Sequence, residues 1–515
     1  MSQRILLVEP AYKNKYPPLG LMKLASFHRD RKDNVFFVKG MDMEIAGQTW
    51  DRIYVSTLFT FYWKQTIDTI NFYTSRSKGN PQVFVGGVMA TLMKEELEAA
   101  TGATVTTGLL DKPGCLGLDG DEAVDTAIPD YSILDTGVDH LLNYSYPVAD
   151  AYFGYATRGC IRHCPFCAVP TIEPDYEPYV NLTRQVRGIE ELYGTKRDLL
   201  LMDNNVLASE EFPRIIGEIK SLGFGRGATL KRQVNGRSMS IVRHVDFNQG
   251  IDSRLLNNEN MRLLSEIAID PLRIAFDHVE LAKTYCRQVR LAAKWHIRHL
   301  SNYVLFNYED APVDLYRRLR INVDLNEEFA AKDLKTRVWS FPMRFCPVVG
   351  PESKDRRHIG PLWTAKQLRG VRSILAATHG VVGPKKDFFL RAFGRDVDEF
   401  LHILDMPEDF IVHRMLHERN GDTEWLQGLI NGVSREERDH LQDMIASNKP
   451  RERLLTTSDP SLRVILDAYA HSEKPRRTSD LDPPSTQTLS YLFGSRIIAF
   501  PGLKRRRMWY NEPSI

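Results

Sequence analysis

Long apolar runs and a secretory leader are both lacking in this sequence. No stretch contains the roughly 18 consecutive apolar residues that a membrane-spanning helix requires. The opening MSQRILLVEP has neither a long apolar segment nor a small-residue cleavage site, so no signal peptide is expected. Six cysteines in 515 residues are too few for a disulfide framework. We therefore expect a cytoplasmic protein that does not span a membrane.

A strong charge of either sign is also lacking. The 68 Lys and Arg residues almost balance the 66 Asp and Glu residues, and the net charge of +2 points to no particular partner. The 43% hydrophobic and 26% charged content is ordinary for a globular protein. Because 515 residues are too many for a single core, we expect two or three domains.

The first part of the chain alternates short apolar runs with segments of helical spacing. The runs that read as buried strands are residues 5–8, 35–38, 53–56 and 83–85. Helical spacing follows Pro17-Pro18 over residues 19–27. This alternation predicts a parallel sheet covered by helices, which is a Rossmann-like domain that with its linker spans residues 1–150.

A second part alternates in the same way through six strand–helix units. The predicted strands are residues 154–157, 199–202, 245–248, 272–276, 303–306 and 338–342. They predict a partial (β/α)6 barrel over residues 151–347, with its chemistry at the carboxyl ends of the strands. The long basic segment 223–243 is expected to be an inserted loop or hairpin over the mouth of the barrel.

Helical spacing dominates the third part, residues 348–515, which ends in an irregular basic tail. Basic groups occur at Lys385-Lys386, at residues 474–477 and at residues 504–507, the last followed by Trp509 and Tyr510. Basic residues near aromatic ones can hold phosphates and stack bases, so a nucleic acid or nucleotide is one candidate partner. A solvated, charged surface explains the same pattern.

Three cysteines lie close together just after the first predicted barrel strand. Cys160, Cys164 and Cys167 follow Arg158-Gly159 with the spacing Cys-x3-Cys-x2-Cys. Thiolates are soft ligands that suit iron–sulfur clusters, and three of them leave one iron of a four-iron cluster open. The alternatives are three unrelated cysteines or structural zinc, which usually takes four protein ligands. His163 is the nearest fourth candidate, but as the neighbour of Cys164 it would make a poor chelate.

The spacing and its place after a strand resemble the radical S-adenosylmethionine (SAM) superfamily. The resemblance implies a 4Fe–4S cluster on the three cysteines, with the amino and carboxylate groups of SAM on the open iron. It also implies reductive cleavage of SAM to methionine and a 5′-deoxyadenosyl radical that takes a hydrogen atom from the substrate. Phe166, before the last cysteine, would pack near the adenine. A one-electron reductant such as flavodoxin or ferredoxin would be a partner.

Other landmarks resemble the subfamily with an N-terminal cobalamin-binding-type domain. They are the segments 16–21, Val85-Gly86-Gly87, 128–131 and Asp203-Asn204-Asn205. The cobalamin motif Asp-x-His-x-x-Gly is absent, because His28 and His140 are the only histidines before residue 150 and neither fits it. The resemblance therefore leaves cobalamin open as a cofactor, and we favour a domain without it.

Polar residues at the ends of the predicted barrel strands are candidates for holding SAM. Asp203 and Asn205 follow the second strand, and Gln249 and Arg254 follow the third. An Arg suits the SAM carboxylate because its guanidinium can bond both oxygens. The alternative is helix capping, for which Asp and Asn are preferred.

Later strand ends offer further candidates. Asp277 and His278 end the fourth strand and residues 307–309 end the fifth, so they either line a substrate pocket or cap helices. Cys346, just past the sixth strand, is a candidate catalytic hydrogen-atom donor or group carrier. A buried free thiol that acts as a small hydrophobe is the favoured alternative for Cys346.

Together these observations predict a radical SAM enzyme of methyltransferase or oxidoreductase type. Its outcome would be methylation, rearrangement or oxidation of an unidentified substrate, with methylation favoured if cobalamin binds. The alternative from another class is a non-catalytic nucleic-acid-binding protein with a structural metal site.

Overall fold

The computed structural model describes residues 2–136, 142–234, 236–446 and 456–470. His140 and the basic groups 474–477 and 504–507, with Trp509 and Tyr510, lie outside these residues. Within the described ranges, no helix is both long enough and apolar enough to cross a membrane.

The N-terminal part is a five-stranded, fully parallel sheet. Its strands are β1 (Arg4–Glu9), β2 (Asn34–Lys39), β3 (Arg52–Thr57), β4 (Gln82–Gly87) and β5 (Thr104–Val105), and its helices are α1 (Leu19–Asp30), α2 (Met43–Ala46), α3 (Trp63–Arg76), α4 (Val88–Leu92) and α5 (Lys94–Thr101). The spatial order is β2-β1-β3-β4-β5. The predicted parallel sheet is confirmed. In such an order the crevice between the carboxyl ends of β1 and β3 is the usual ligand site.

Six more parallel strands follow in chain order, interrupted by one hairpin. The strands are β6 (Ala151–Gly154), β7 (Asp198–Leu201), the hairpin β8 (Thr229–Val234) and β9 (Arg237–Val242), then β10 (Val245–Phe247), β11 (Leu272–Arg273), β12 (His299–Phe306) and β13 (Arg337–Arg344). The intervening helices are α6 (Val169–Ile172), α7 (Leu182–Tyr193), α8 (Phe212–Ile219), α9 (Asn258–Ser265), α10 (Ala282–Lys294) and α11 (Pro312–Ala331).

These six strands form two parallel three-stranded sheets, β6-β7-β10 and β11-β12-β13. The parallel bridges Val245↔Ile269 and Ile251↔Ile274 join one sheet to the other. All six strands therefore present their carboxyl ends on the same side. Their closure into a partial (β/α)6 barrel stays a prediction.

The basic hairpin β8–β9 lies on the opposite side from the one expected. Arg232 donates hydrogen bonds to Asp150 at 2.5 and 2.7 Å and to the Thr195 carbonyl oxygen at 3.0 Å. Asp150 and Thr195 lie just before the strands β6 and β7, so the hairpin packs at their amino ends. The expectation that it covers the mouth was wrong because the insertion follows helix α8 and precedes strand β10, and helix-to-strand connections lie at the amino edge.

The C-terminal part is helical where the structure describes it. Its helices are α12 (Ala365–Ala377), α13 (Lys386–Phe393), α14 (Val397–Asp405), α15 (Glu408–Val412), α16 (Arg414–Asn420), α17 (Asp422–Gly432), α18 (Arg435–Ala446) and α19 (Pro460–Ala470). One buried apolar cluster joins α12 to α15 with α11 and β12, including Phe306, Leu319 and Phe400. The first helices of this part are therefore packed onto the second part.

The first two parts share buried contacts as well. A single apolar cluster runs from Leu7 and Phe84 of the N-terminal sheet to Leu199 and Ile274 of the second part. The Tyr16 hydroxyl, in the loop after β1, donates to Asn248 Oδ1 at 2.5 Å, just after β10. The carboxyl edges of the two sheets are thus in contact. The domain boundaries at residues 150 and 347 stay predictions.

Candidate metal and cofactor site

The loop that carries the cysteines is fixed at its start by the carboxylate of Asp203. Strand β6 ends at Gly154, so residues 155–157, predicted as strand, belong to this loop. Asp203, only 1% exposed, accepts hydrogen bonds from Ala156 N at 3.0 Å and from Thr157 N and Oγ1 at 2.5 and 2.7 Å. Burial raises the pKa of Asp203 to about 6, although these hydrogen bonds oppose the shift. The SAM role predicted for Asp203 stays a prediction, since its observed contacts position the loop.

Glu173 fixes the next turn of the loop, and sequence reasoning missed it. Its carboxylate accepts from the Arg158 guanidinium at 2.8 Å, from Gly159 N at 2.7 Å and from Asn204 Nδ2 at 3.0 Å. Arg158 and Glu173 are both buried. Because charge-assisted hydrogen bonds in a buried setting are strong, this pair holds the backbone immediately before Cys160. Nothing in the sequence distinguishes Glu173 from the other acidic residues.

The glycine before the first cysteine is required by the geometry. Gly159 has φ of +68°, in the left-handed region that favours glycine. A Cβ at this position would lie well inside contact distance of the Asp175 carbonyl oxygen. An antiparallel bridge between Arg158 and Glu177 brings these two segments together.

The three thiols of the motif lie within electrostatic reach of one another. Burial is the main cause that raises the pKa of Cys167, and the charges of Cys164 and Cys160 raise it further. Cys167 N donates to the Cys164 carbonyl oxygen at 3.0 Å, and Arg162 N donates to Cys160 Sγ at 3.3 Å. The loop therefore gathers three soft donors, which is the donor set that an iron–sulfur cluster takes.

No three His, Cys, Asp or Glu side chains converge on a single metal ion within the described ranges. In a four-iron cluster each thiolate binds a different iron, so its ligands surround a large group rather than one point. The arrangement of Cys160, Cys164 and Cys167 fits such a cluster in donor type, number and mutual proximity.

Asn205 presents a buried acceptor next to the first cysteine. Its Nδ2 donates to Cys160 Sγ at 3.5 Å, and the residue is 3% exposed. Its Oδ1 is buried and has no hydrogen-bond partner within the described chain. A buried acceptor left unpaired is costly, so this oxygen points to a donor that the chain itself does not supply. Asn205 thus fits its predicted place in a cofactor site.

Arg254 lies beside the second cysteine, on the predicted rim. Its guanidinium bonds both oxygens of Asp252, at 2.7 and 3.0 Å, and lies within electrostatic reach of the Cys164 thiol. Burial raises the pKa of Cys164, and the nearby Arg254 charge opposes that shift. Arg162, inside the motif, also contacts Asp252 at 3.2 Å. The structure therefore brings Arg254 to the motif, whereas Gln249 is exposed and makes no side-chain hydrogen bond within the described residues.

Aromatic side chains connect the motif to the fifth and sixth strands of the second part. The Phe166 ring meets Tyr308 edge-on at 5.6 Å between centroids, and Tyr308 meets Phe345 at 4.8 Å. Asp277 also lies within electrostatic reach of Cys167, and burial raises the pKa of its carboxyl. Phe345 and the proximity of Asp277 to the thiols were not predicted.

Three other candidates have different surroundings. Asn307 is fully buried, donates to the Phe345 and His358 carbonyl oxygens and accepts from Gly360 N, so it shapes the chain after β13. His278 is exposed. Burial raises the pKa of the Cys346 thiol, and the charges of nearby arginines oppose that shift. No cysteine of the motif contributes to it. A catalytic role for Cys346 stays a prediction.

Comparison with known proteins gives similar solved structures, whereas no family model and no curated protein matches. One is the radical SAM methyltransferase TsrM from Kitasatospora setae with cobalamin and a 4Fe–4S cluster bound, with 15% identity, a TM-score of 0.45, and coverage of 67% of this chain and 75% of that chain. Another is the same enzyme with tryptophan and a SAM analogue, with 14% identity, a TM-score of 0.45, and coverage of 68% and 75%.

Both solved structures are of the superfamily that the cysteine motif resembles. The first of them holds cobalamin. The preference for a domain without cobalamin has no support in these comparisons and stays a prediction.

The buried Arg158–Glu173 pair provides a test of the loop architecture. Glu173→Gln should lower the free energy of unfolding by about 2 kcal/mol, because it weakens charge-assisted hydrogen bonds to Arg158 and Gly159. Chemical denaturation measures this change. Glu190→Gln is the matched control, since Arg187–Glu190 is an exposed pair of similar length, 2.6 Å, and should cost below about 1 kcal/mol. Equal losses in the two variants would contradict the role given to Glu173.

Proposed function

We propose that this chain is a radical SAM enzyme that carries a 4Fe–4S cluster on Cys160, Cys164 and Cys167. The observation that carries the proposal is the gathering of these three thiols on one loop at the carboxyl end of β6. When bound, such a cluster passes an electron to SAM and so supplies a 5′-deoxyadenosyl radical. The radical would take a hydrogen atom from the substrate.

The chain's own residues would orient the cofactor. The unpaired Asn205 Oδ1 is an acceptor for an N–H of the amino group that SAM carries on its methionyl part. Arg254, beside Cys164, offers a guanidinium for the SAM carboxylate, which would compete with Asp252 for it. Phe166 presents an aromatic surface for the adenine. Gln249, whose side chain is exposed, would contact the ribose or methionyl part.

The fold supports a three-part organisation as a proposal. The six parallel strands would form the partial barrel of residues 151–347, between an N-terminal cobalamin-binding-type domain and the helical part after residue 347. Cobalamin in that domain would not be bound through His28, because both ring nitrogens are in use. His28 Nδ1 bonds Asp33 at 2.8 Å and Nε2 bonds Tyr54 at 3.0 Å.

The reaction after radical formation is one of methylation, rearrangement or oxidation. The electron would come from a one-electron reductant such as flavodoxin or ferredoxin, and a nucleic acid or nucleotide remains a proposed substrate class. No observation in the described residues favours the alternative of a non-catalytic protein with a structural metal.

Electron paramagnetic resonance of the reduced protein tests the proposal. Anaerobically reconstituted protein should hold about four irons, and its reduced-cluster spectrum should change when SAM is added. The proposal is overturned if the protein takes up one zinc and no iron, or if addition of SAM leaves the spectrum of the reduced cluster unchanged.

Arg254→Ala should weaken SAM binding about ten- to a hundred-fold, because a charge-assisted hydrogen bond is worth roughly 1.5–3 kcal/mol. The cluster should still assemble, since Arg254 is not a ligand. Calorimetric titration of SAM into the reconstituted protein measures the change. Arg262→Ala is the control, because Arg262 pairs with Glu259 on the surface of α9. Unchanged affinity in Arg254→Ala would remove Arg254 from the SAM site.

A further inference from the structure

Arg344 and two arginines near it lack the counter-ions that such residues normally have, and Cys346 lies within electrostatic reach of Arg344 and Arg356. Arg344, at the end of β13, lies within electrostatic reach of Arg356 and of Arg372 in α12. Within the described residues, none of the three has a carboxylate at salt-bridge distance. Burial lowers the pKa of Arg344, and the charges of Arg356 and Arg372 lower it further. Positive charge is therefore concentrated here, and the nearby Asp355 charge opposes it only in part.

Two donors in this group are buried and unpaired. The Nε atoms of Arg344 and Arg356 are inaccessible and have no hydrogen-bond partner among the described residues. Arg344 uses Nη2 on the His358 carbonyl oxygen at 2.7 Å, and the Arg356 guanidinium lies 4.1 Å above the Phe61 ring. These contacts hold the two guanidinium groups in place but leave both Nε–H donors without an acceptor. Buried polar groups are normally satisfied, so the donors point to a missing acceptor.

The nearest carboxylates do not fill this role. Asp355 accepts from Arg357 Nε at 2.6 Å and from Arg357 N at 2.8 Å. Glu352 bonds His358 at 2.5 Å. The group of Arg344, Arg356, Arg372 and Cys346, here called the arginine pocket, therefore has an excess of cationic donors.

The arginine pocket lies near the cysteine motif and against the N-terminal sheet. Phe345 precedes Cys346 and meets Tyr308, which in turn meets Phe166 of the motif. On the other side, Thr60 Oγ1 donates to the Pro347 carbonyl oxygen at 3.4 Å, just past the carboxyl end of β3. A ligand in the pocket would be two aromatic side chains away from the motif.

We propose that the arginine pocket binds an oxyanion, a carboxylate or a phosphate, that belongs to the substrate. The identification of the oxyanion as part of the substrate rests on the proposed function. Binding of an oxyanion by the arginine pocket does not require the cluster. The planar guanidinium fork matches either oxyanion, and Cys346 lies within electrostatic reach of Arg344 and Arg356. The substrate is thereby assigned to the class of acidic molecules.

Alkylation of Cys346 by two reagents of similar size and different charge tests the pocket. Reconstituted full-length protein is treated with iodoacetate or iodoacetamide, and the Cys346 and Cys115 peptides are quantified by mass spectrometry. Cys115 is the internal reference because its neighbours are the acidic Asp111 and Asp121. The iodoacetate-to-iodoacetamide rate ratio should be about tenfold higher at Cys346 than at Cys115.

Competing anions and arginine variants test whether the labelling preference at Cys346 comes from the arginine pocket. Inorganic phosphate or acetate should slow labelling at Cys346 and not at Cys115, and the more effective of the two identifies the oxyanion. Arg356→Gln should reduce the ratio, whereas Lys354→Gln should not, since the Lys354 ammonium lies over the Trp63 ring and is not among the charges that act on Cys346.

The proposal is overturned if the iodoacetate-to-iodoacetamide ratios at Cys346 and Cys115 are equal in the wild-type protein, or if Cys346 reacts with neither reagent. Both outcomes are measured on the wild-type protein alone. The labelling does not depend on SAM cleavage. Its failure is therefore distinguishable from failure of the proposed function.

Discussion

Replacing Cys160, Cys164 and Cys167 together by alanine should yield a folded protein that binds no iron–sulfur cluster. The variant should lack the brown absorbance of the reconstituted protein, and its iron content should fall from about four per chain to near zero. The thiolates are the only soft donors that the described structure gathers on this loop, so no other ligand set replaces them. Iron and sulfide analysis after anaerobic reconstitution measures the loss.

The control for this experiment removes cysteines that lie outside the motif. The double variant Cys115→Ala with Cys286→Ala should keep its iron, since both cysteines are remote from the loop in the sequence and Cys115 contacts Asp121 instead. Iron that survives the triple change, or that is lost equally in the double variant, would contradict the assignment of the ligands.

Gly159→Ala should prevent normal assembly of the loop. The substitution forces a positive φ on a residue with a side chain, at roughly 1–3 kcal/mol, and it also drives a Cβ into the Asp175 carbonyl oxygen. We expect a loss of about 3 kcal/mol or more in the free energy of unfolding, together with a large loss of bound iron. Thermal or chemical unfolding and iron analysis measure the two effects.

Gly194→Ala separates steric overlap from backbone strain. Gly194 has a similar φ of +72°, but a Cβ there meets nothing within 4 Å. The Gly194→Ala variant should therefore lose only the free energy of unfolding that comes from backbone strain, about 1–3 kcal/mol. It should retain its iron. If the two variants behave alike, the close approach of Gly159 to Asp175 is not what the loop requires.

The parallel sheets were predictable because many of their strands, such as β1, β3, β6 and β7, are largely buried. Such strands read as short apolar runs, so the predicted segments 5–8 and 35–38 differ from Arg4–Glu9 and Asn34–Lys39 only at their ends. Strand β6 was misplaced because its apolar run continues into residues 155–157, and only the contacts of Asp203 with that backbone show where the strand ends.

The candidate site was predictable in its ligands but not in its supports. Spacing alone identified Cys160, Cys164 and Cys167, because ligand chemistry constrains residue type and separation. The approach of Arg254 to Cys164 and the role of Glu173 depend on which parts of the chain meet in three dimensions. The arginine pocket was not predicted for the same reason, since Arg344 and Arg372 are separated in sequence by a loop and part of a helix.

The most direct test is anaerobic incubation of the reconstituted protein with SAM and dithionite, followed by chromatography of the products. The account predicts time-dependent formation of 5′-deoxyadenosine and methionine by the wild-type protein, and none by the triple-cysteine variant. A wild-type protein that holds about four irons yet forms no more 5′-deoxyadenosine than the triple variant would contradict it.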